Sequence, residues 1–217
     1  MHHALDLYDS KDYRGKRMTL DEMIAKTNKR QPSFRMMIDH LKTIENPLII
    51  ETGCARPPDL APWGTEDISF ADDGFSTLIF DQFINDFGGD FHSVDLTPRH
   101  VEYAQSRVSD KAQIHCDDSI GFLWYVSKIL KEEDRYVDLL YLDSYDYEAS
   151  DPYPSMVHHI KEIAVILNRM RPGSMLAVDD NVGTGAERMG KPKYVAELME
   201  AMGVPLVYEG QQLIWKL

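Results

Sequence analysis

The chain has 217 residues, a formal net charge of −13, and 43% hydrophobic and 27% charged residues. That length suits one α/β domain able to bury a full core, and the acidic balance excludes a broad phosphate-binding surface, so no nucleic-acid partner is expected. No apolar run is long enough to span a membrane, and the first residues lack the apolar stretch of a signal peptide. Two cysteines, Cys54 and Cys116, make neither a disulfide framework nor a zinc site. These features predict a cytoplasmic protein that avoids membranes. Two short basic stretches, Lys29-Arg30 and Arg188 to Lys193, read as solvated surface.

The first 46 residues predict a helical cap. Thr19-Leu20-Asp21-Glu22 has the spacing of a capping box, and Met23 and Ile24 begin an apolar face. Pro32-Ser33 opens a second helix, with Met36, Met37, Leu41 and Ile44 at helical spacing. From Pro47 the period changes. Strand-like runs PLIIETG (47–53), FHSVDL (91–96), AQIHCDD (112–118), VDLLYLD (137–143) and SMLAVDDN (174–181) alternate with helical patterns. Such alternation predicts βαβ units around a mostly parallel sheet, with helices on both faces. PLVYEG and QQLIWKL then meet near Gly210 without room for a helix, which predicts a terminal antiparallel hairpin. The stretch 56–74, rich in Pro, Asp and Gly, is long for a strand-to-helix connection and reads as a lid or cofactor loop carrying Trp63 and Phe70.

Open parallel sheets bind ligands at the carboxyl ends of their strands. Each predicted strand here closes on polar residues: Glu51, Thr52 and Gly53; Asp95; Asp117 and Asp118; Asp143; and Asp179, Asp180 and Asn181. Five acidic strand ends in succession point to a site. Gly53 permits close backbone approach, and Asp95 is placed to bind the two hydroxyls of a ribose. The segment ETGCARPP lacks the second glycine of a pyrophosphate-binding G-x-G-x-x-G loop. A ligand with ribose but no pyrophosphate fits, and S-adenosylmethionine is one.

On these residues the chain resembles class I S-adenosylmethionine-dependent methyltransferases over roughly residues 47 to 217. Within that class it is similar to the metal-dependent small-molecule O-methyltransferases, both the catechol branch and the branch that methylates sugars of macrolide and aminocoumarin antibiotics. The resemblance implies a Rossmann-like α/β fold with a seven-stranded sheet. Residues 47–217 would form the core, in one domain with the 1–46 cap. The first motif of such families, E-x-G-x-x-x-G-x-S, is split here: Glu51 and Gly53 supply one half, Gly74 and Ser76 the other, across the insertion. Gly74 and Ser76 would open a helix whose backbone donors receive the cofactor carboxylate, and Ser76 also reads as a plain N-cap. Asp95 in VDLTP matches the ribose motif. Asp117 or Asp118 in CDDS would meet the adenine, with Ser119 as a helix cap beside it.

The resemblance also implies a divalent cation, Mg²⁺ or another, held by Asp143, Asp180 and either Asn181 or Asp179; carboxylate and amide oxygens suit such a hard ion. The catechol branch carries a lysine three residues after the first metal aspartate, where this chain has Asp146. Asp146 is therefore the first candidate base, with His158 or His159 as the second. Tyr145, Tyr147, Tyr153 and Trp63 are candidates for a substrate wall. The implied activity is methyl transfer to an oxygen of a small polar hydroxylated acceptor, and a homo-oligomer is compatible with it. A nicotinamide-dependent oxidoreductase, or a cofactor-binding module that transfers nothing, is the alternative.

Overall fold

The computed structural model describes residues 18–57 and 75–217. The expected Gly74, Trp63 and Phe70, and most of the 56–74 insertion, lie outside the described residues. The element order is α1 (Leu20–Ala25), α2 (Gln31–Leu41), β1 (Leu48–Thr52), α3 (Ser76–Phe87), β2 (Asp90–Asp95), α4 (Pro98–Arg107), β3 (Ala112–Cys116) and α5 (Ser119–Glu132). There follow β4 (Val137–Leu142), α6 (Tyr153–Ile166), β5 (Met170–Val178), β6 (Asn181–Val182), β7 (Met189–Gly190), α7 (Lys193–Ala201), β8 (Leu206–Glu209) and β9 (Leu213–Lys216).

Seven strands form one sheet in the order β3-β2-β1-β4-β5-β9-β8. The first five are parallel, and β9 and β8 close the edge antiparallel. The chain is thus α/β and Rossmann-like, with the predicted terminal hairpin. Burial on both faces explains the near-continuous apolar runs of the central strands β1, β4 and the second half of β5, whose alternate residues serve opposite cores. Ile49, Leu139, Tyr141 and Ala177 pack with α1, α2 and α3 on one face. Ile50, Leu140, Leu142 and Val178 pack with α5, α6 and α7 on the other. The capping box forms, with Thr19 and Glu22 side chains each taking a backbone N–H at the start of α1. No helix among the described residues is long and apolar enough to cross a membrane.

Two features depart from the sequence reading. Strand β5 begins at Met170, before Pro172 and Gly173, because a register shift against β4 absorbs them; Pro and Gly there had hidden the strand's start. The run 174–181 then breaks at Asp179. Asn181 instead opens a two-stranded ribbon, β6 with β7, too short to leave a periodic signal.

Candidate functional site

Strand order reverses between β1 and β4, so the loops after them diverge and leave a crevice. A cavity of about 750 Å³ occupies it, within the range of small-molecule sites. Of the expected residues, Gly53, Ser76, Asp95, Asp118, Ser119, Asp143, Asp146, His158 and Asp180 line it, and so do Tyr145 and Tyr147. Glu51, Thr52, Asp117, Asp179 and Asn181 do not. Phe75, Tyr145 and Asp180 all line the cavity at positive φ (37°, 48° and 50°), a backbone region that bulky residues rarely adopt and that concentrates at functional sites.

Glu51 lies beneath the cavity as a buried hub. Its carboxylate accepts hydrogen bonds from Ser76 Oγ, Thr77 Oγ1 (2.7 Å) and Ser93 Oγ (2.6 Å), and Thr77 Oγ1 in turn accepts Ala55 N–H (2.8 Å). Glu51 therefore ties β1 to β2 and to the first turn of α3, and acts on the loop. Ser76 is not the N-cap; Phe75 holds that position, and the Ser76 hydroxyl is committed to Glu51. Thr52 is fully buried within β1, and its Oγ1 finds no partner among the described residues.

Burial pushes the Glu51 carboxyl up to about 7 against its three hydroxyl donors. A carboxyl raised on folding stabilises the fold below its unfolded value near 4.5, and that contribution is lost as pH rises through about 7. The shift corresponds to roughly 3 kcal/mol. Melting curves from pH 5 to 8 should therefore fall more steeply for the wild type than for Glu51→Gln, whose amide the rotatable hydroxyls can still bond. Parallel profiles would contradict the assignment.

At one end of the cavity, Asp95 accepts Thr97 N–H (2.8 Å) and Cys54 N–H (3.3 Å) and sits 3.2 Å from His100 Nδ1. Burial works to raise its pKa, but His100 and Thr97 outweigh it and hold the carboxylate below the usual range. Gly53, at φ +84°, lies against the neighbouring strand end: a Cβ would come within 2.7 Å of the Asp143 carbonyl oxygen. Its close approach is thus to β4 backbone. Asp118 is the N-cap of α5, accepting Gly121 N–H (2.8 Å), so Ser119 is not the cap. Asp117 is exposed and accepts Asp118 N–H.

Ser119 Oγ pairs with His158 Nε2 (2.9 Å), which also lies 3.4 Å from the buried carboxylate of Glu162. The Tyr145 ring lies against His158. His158 therefore belongs to the α5 end of the cavity. His159 is fully buried, bonded through Nδ1 to the Ser155 carbonyl, and burial lowers its pKa to about 4 against Glu162. It is a neutral structural group. Asp146 is half turned to solvent at the rim, where both its oxygens meet Arg56 Nη1 at 3.0 Å. Both of its oxygens are therefore turned to Arg56. Cys54 borders the cavity with its thiol pushed up by burial, and Cys116 is exposed.

The other end holds the strand-end acids of β4 and β5, and here the sequence reading misses half the arrangement. Asp179 is fully buried, with both oxygens taken by Arg30 Nε (3.1 and 2.9 Å) and a further bond from Tyr141 OH (3.1 Å). Asp143 Oδ1 and Asp180 Oδ2 meet Lys191 Nζ at 2.6 and 3.0 Å. Asn181 Oδ1 accepts from Arg188 Nε (3.2 Å), and its Nδ2 donates to the Gly210 carbonyl (2.9 Å). Burial disfavours the charge on both Arg30 and Lys191. The carboxylates more than compensate: Asp179 raises the pKa of Arg30, and Asp143 and Asp180 raise that of Lys191. Asp180, disfavoured by burial, is held below the usual carboxylate range by Lys191 and Arg30.

The expected metal ligands thus do not fit a divalent ion as arranged, since Asp143, Asp179, Asp180 and Asn181 are each engaged by a lysine or arginine. Among the described residues no three His, Cys, Asp or Glu side chains converge as a metal-binding group. The solvated reading of Lys29-Arg30 and Arg188 to Lys193 is corrected for two residues: Arg30 is 9% and Lys191 1% exposed. No sequence signal marked either, because lysine and arginine are almost never buried without partners.

No family model and no curated protein sequence matches the chain. Solved structures do. The methyltransferase MycE from the mycinamycin biosynthetic pathway, solved with magnesium, S-adenosylhomocysteine and mycinamycin VI, superposes with a TM-score of 0.58 at 13% identity, covering 86% of this chain and 48% of MycE. The chain therefore spans about half the length of that protein. The calicheamicin methyltransferase CalS11 superposes with a TM-score of 0.57 at 11% identity, over 85% of this chain and 77% of its own. In its apo form CalS11 is described as a TDP-rhamnose 3'-O-methyltransferase. The fold is that of class I S-adenosylmethionine-dependent methyltransferases.

Proposed function

We propose that this chain transfers the methyl group of S-adenosylmethionine to an oxygen of a small polar hydroxylated acceptor, a sugar or natural product. The observation that carries this reading is one cavity at the switch point with two chemically distinct ends. One offers Asp95, a held carboxylate suited to a ribose diol; the other offers Asp143, Asp180 and Lys191, suited to a hydroxyl. The described residues fit the cofactor: the Asp95 carboxylate is kept ionised facing the cavity, and Asp118, Ser119, Tyr145 and His158 would border the base. The resemblance in fold to MycE and CalS11 supports the acceptor class.

When bound, S-adenosylmethionine would supply a methyl sulfonium: the S–CH₃ bond breaks as the O–CH₃ bond forms, S-adenosylhomocysteine leaves, and the hydroxyl proton passes to a base. Asp180 is the base this geometry favours. Its Oδ2 is held by Lys191, while Oδ1 has only long contacts among the described residues, 3.4 Å to Arg30 and 3.4 Å to Gln211. Those two contacts are the long ones at Asp180, and an acceptor hydroxyl would donate to Oδ1 beside or in place of them. An oxygen being methylated becomes strongly acidic, so even a weakly basic carboxylate can take its proton. The remaining contribution is orientation of the hydroxyl in line with the sulfonium methyl.

The test is transfer of a labelled methyl group, screened over sugars, phenols and carboxylic acids. A hydroxylated acceptor labelled on oxygen supports the reading; label only on nitrogen or carbon overturns it. Asp95→Ala should weaken S-adenosylhomocysteine binding by on the order of 10- to 10²-fold, since charged hydrogen bonds to two hydroxyls are lost. Unchanged affinity in a calorimetric titration would remove Asp95 from the ribose subsite.

A further inference from the structure

We propose that Lys191 supplies, from within the protein, the positive charge that a divalent cation would otherwise bring to Asp143 and Asp180, so that methyl transfer by this chain needs no metal. The inference rests on the methyltransferase reading above. Lys191 Nζ lies 2.6 Å from Asp143 Oδ1, 3.0 Å from Asp180 Oδ2 and 3.1 Å from the Asp143 carbonyl oxygen. An ammonium has three hydrogens, and these three oxygens use them all. The residue is 1% exposed, and a buried ammonium persists only where carboxylates compensate it. A divalent ion on the same oxygens would stand about 2.0–2.6 Å from each, beside Nζ and in repulsion with it.

The fold delivers this lysine deliberately. The ribbon of β6 and β7 folds back directly after Asp180, and Gly190, at φ +87°, sits where any Cβ would overlap the Asp180 carbonyl oxygen. Only glycine lets the ribbon close, and the next residue is Lys191. The other oxygens that could complete a metal shell are committed elsewhere: Asp179 to Arg30 and Tyr141, Asn181 Oδ1 to Arg188. Three carboxylates are thus met by two buried cations. With its hydrogens spent, the ammonium does not bind the acceptor oxygen as a metal would. Lys191 is a positioning residue that fixes Asp143 and Asp180 and leaves Asp180 Oδ1 to the longer contacts, 3.4 Å to Arg30 and 3.4 Å to Gln211.

The experiment is calorimetric titration of the EDTA-treated full chain with MnCl₂, alongside Lys191→Met. The wild type should show no saturable Mn²⁺ binding at millimolar concentration, and its methyl transfer should ignore EDTA. Lys191→Met should lose kcat by on the order of 10²-fold through misplaced carboxylates, gain a single Mn²⁺ site, and recover part of its rate when Mn²⁺ is added. Such rescue is not expected of a lysine that only supports the fold. A wild-type Mn²⁺ site that disappears in Asp143→Asn would overturn the proposal, and that arm decides it even if Lys191→Met fails to fold. S-adenosylhomocysteine binding, measured on the same samples, reports separately on the methyltransferase reading: its absence would sink that reading without touching the Mn²⁺ result.

Discussion

Asp180→Asn should lower kcat by on the order of 10²- to 10⁴-fold, the range expected for loss of a general base, while leaving S-adenosylhomocysteine affinity nearly unchanged. Asparagine keeps the size of the side chain and an oxygen for Lys191, but it cannot take a proton. The position differs from those of Asp143 and Asp146. Asp143 lies closest to Lys191, 2.6 Å from Nζ, and Asp146 is paired to Arg56 at the rim. Asp180 alone among the three combines a carboxylate held ionised with an oxygen, Oδ1, whose contacts are 3.4 Å long. Its backbone at φ 50° aims the side chain and is itself held by the close passage of Gly190. Steady-state kinetics with saturating cofactor would check this. An unchanged kcat in Asp180→Asn, with kcat lost in His158→Ala, would move the proton to His158.

The second large effect is expected at Gly53. Gly53→Ala places a Cβ 2.7 Å from the Asp143 carbonyl oxygen and 2.9 Å from Ser144 N, all backbone, at a φ of +84°. The left-handed conformation and the forced overlap together should cost roughly 2–5 kcal/mol, or about 5–15 °C in Tm for a chain of this size. The damage would reach the site. Gly53 N–H donates to Val94 O (2.8 Å), and the next amide, Cys54, donates to Asp95. Pushing β1 away from β4 therefore displaces both the ribose carboxylate and Asp143. Scanning calorimetry with and without S-adenosylhomocysteine measures both consequences; a Tm within about 2 °C of wild type, well inside the expected drop, would show that the strands yield.

Legibility in the sequence followed the range of the interactions. The five parallel strands could be read because each is a short apolar run closed by an acid, and the terminal hairpin because its two runs leave no room for a helix. Those are local signals. The acid ends were legible as a site for the same reason. What balances them was not. Arg30 reaches Asp179 across 149 positions and Lys191 reaches Asp143 across 48, and neither cation differs locally from a solvated one. The acids alone resembled a metal shell because the sequence lists carboxylates without showing what neutralises them. Ser76 and Ser119 misled on a smaller scale: each begins a helix, but Phe75 and Asp118 occupy the caps, and the two hydroxyls turn to Glu51 and His158. Glu51 was legible as important, though its three hydroxyl partners come from β2 and α3, distant in sequence.

The central claim is that the switch-point cavity takes a ribose-bearing sulfonium cofactor and no dinucleotide. Isothermal titration of the full chain with S-adenosylhomocysteine, and in parallel with NAD, tests it most directly. The account predicts one saturable S-adenosylhomocysteine site per chain, weakened in Asp95→Ala, and no saturable binding of NAD. Saturable binding of NAD, with none of S-adenosylhomocysteine, would contradict it.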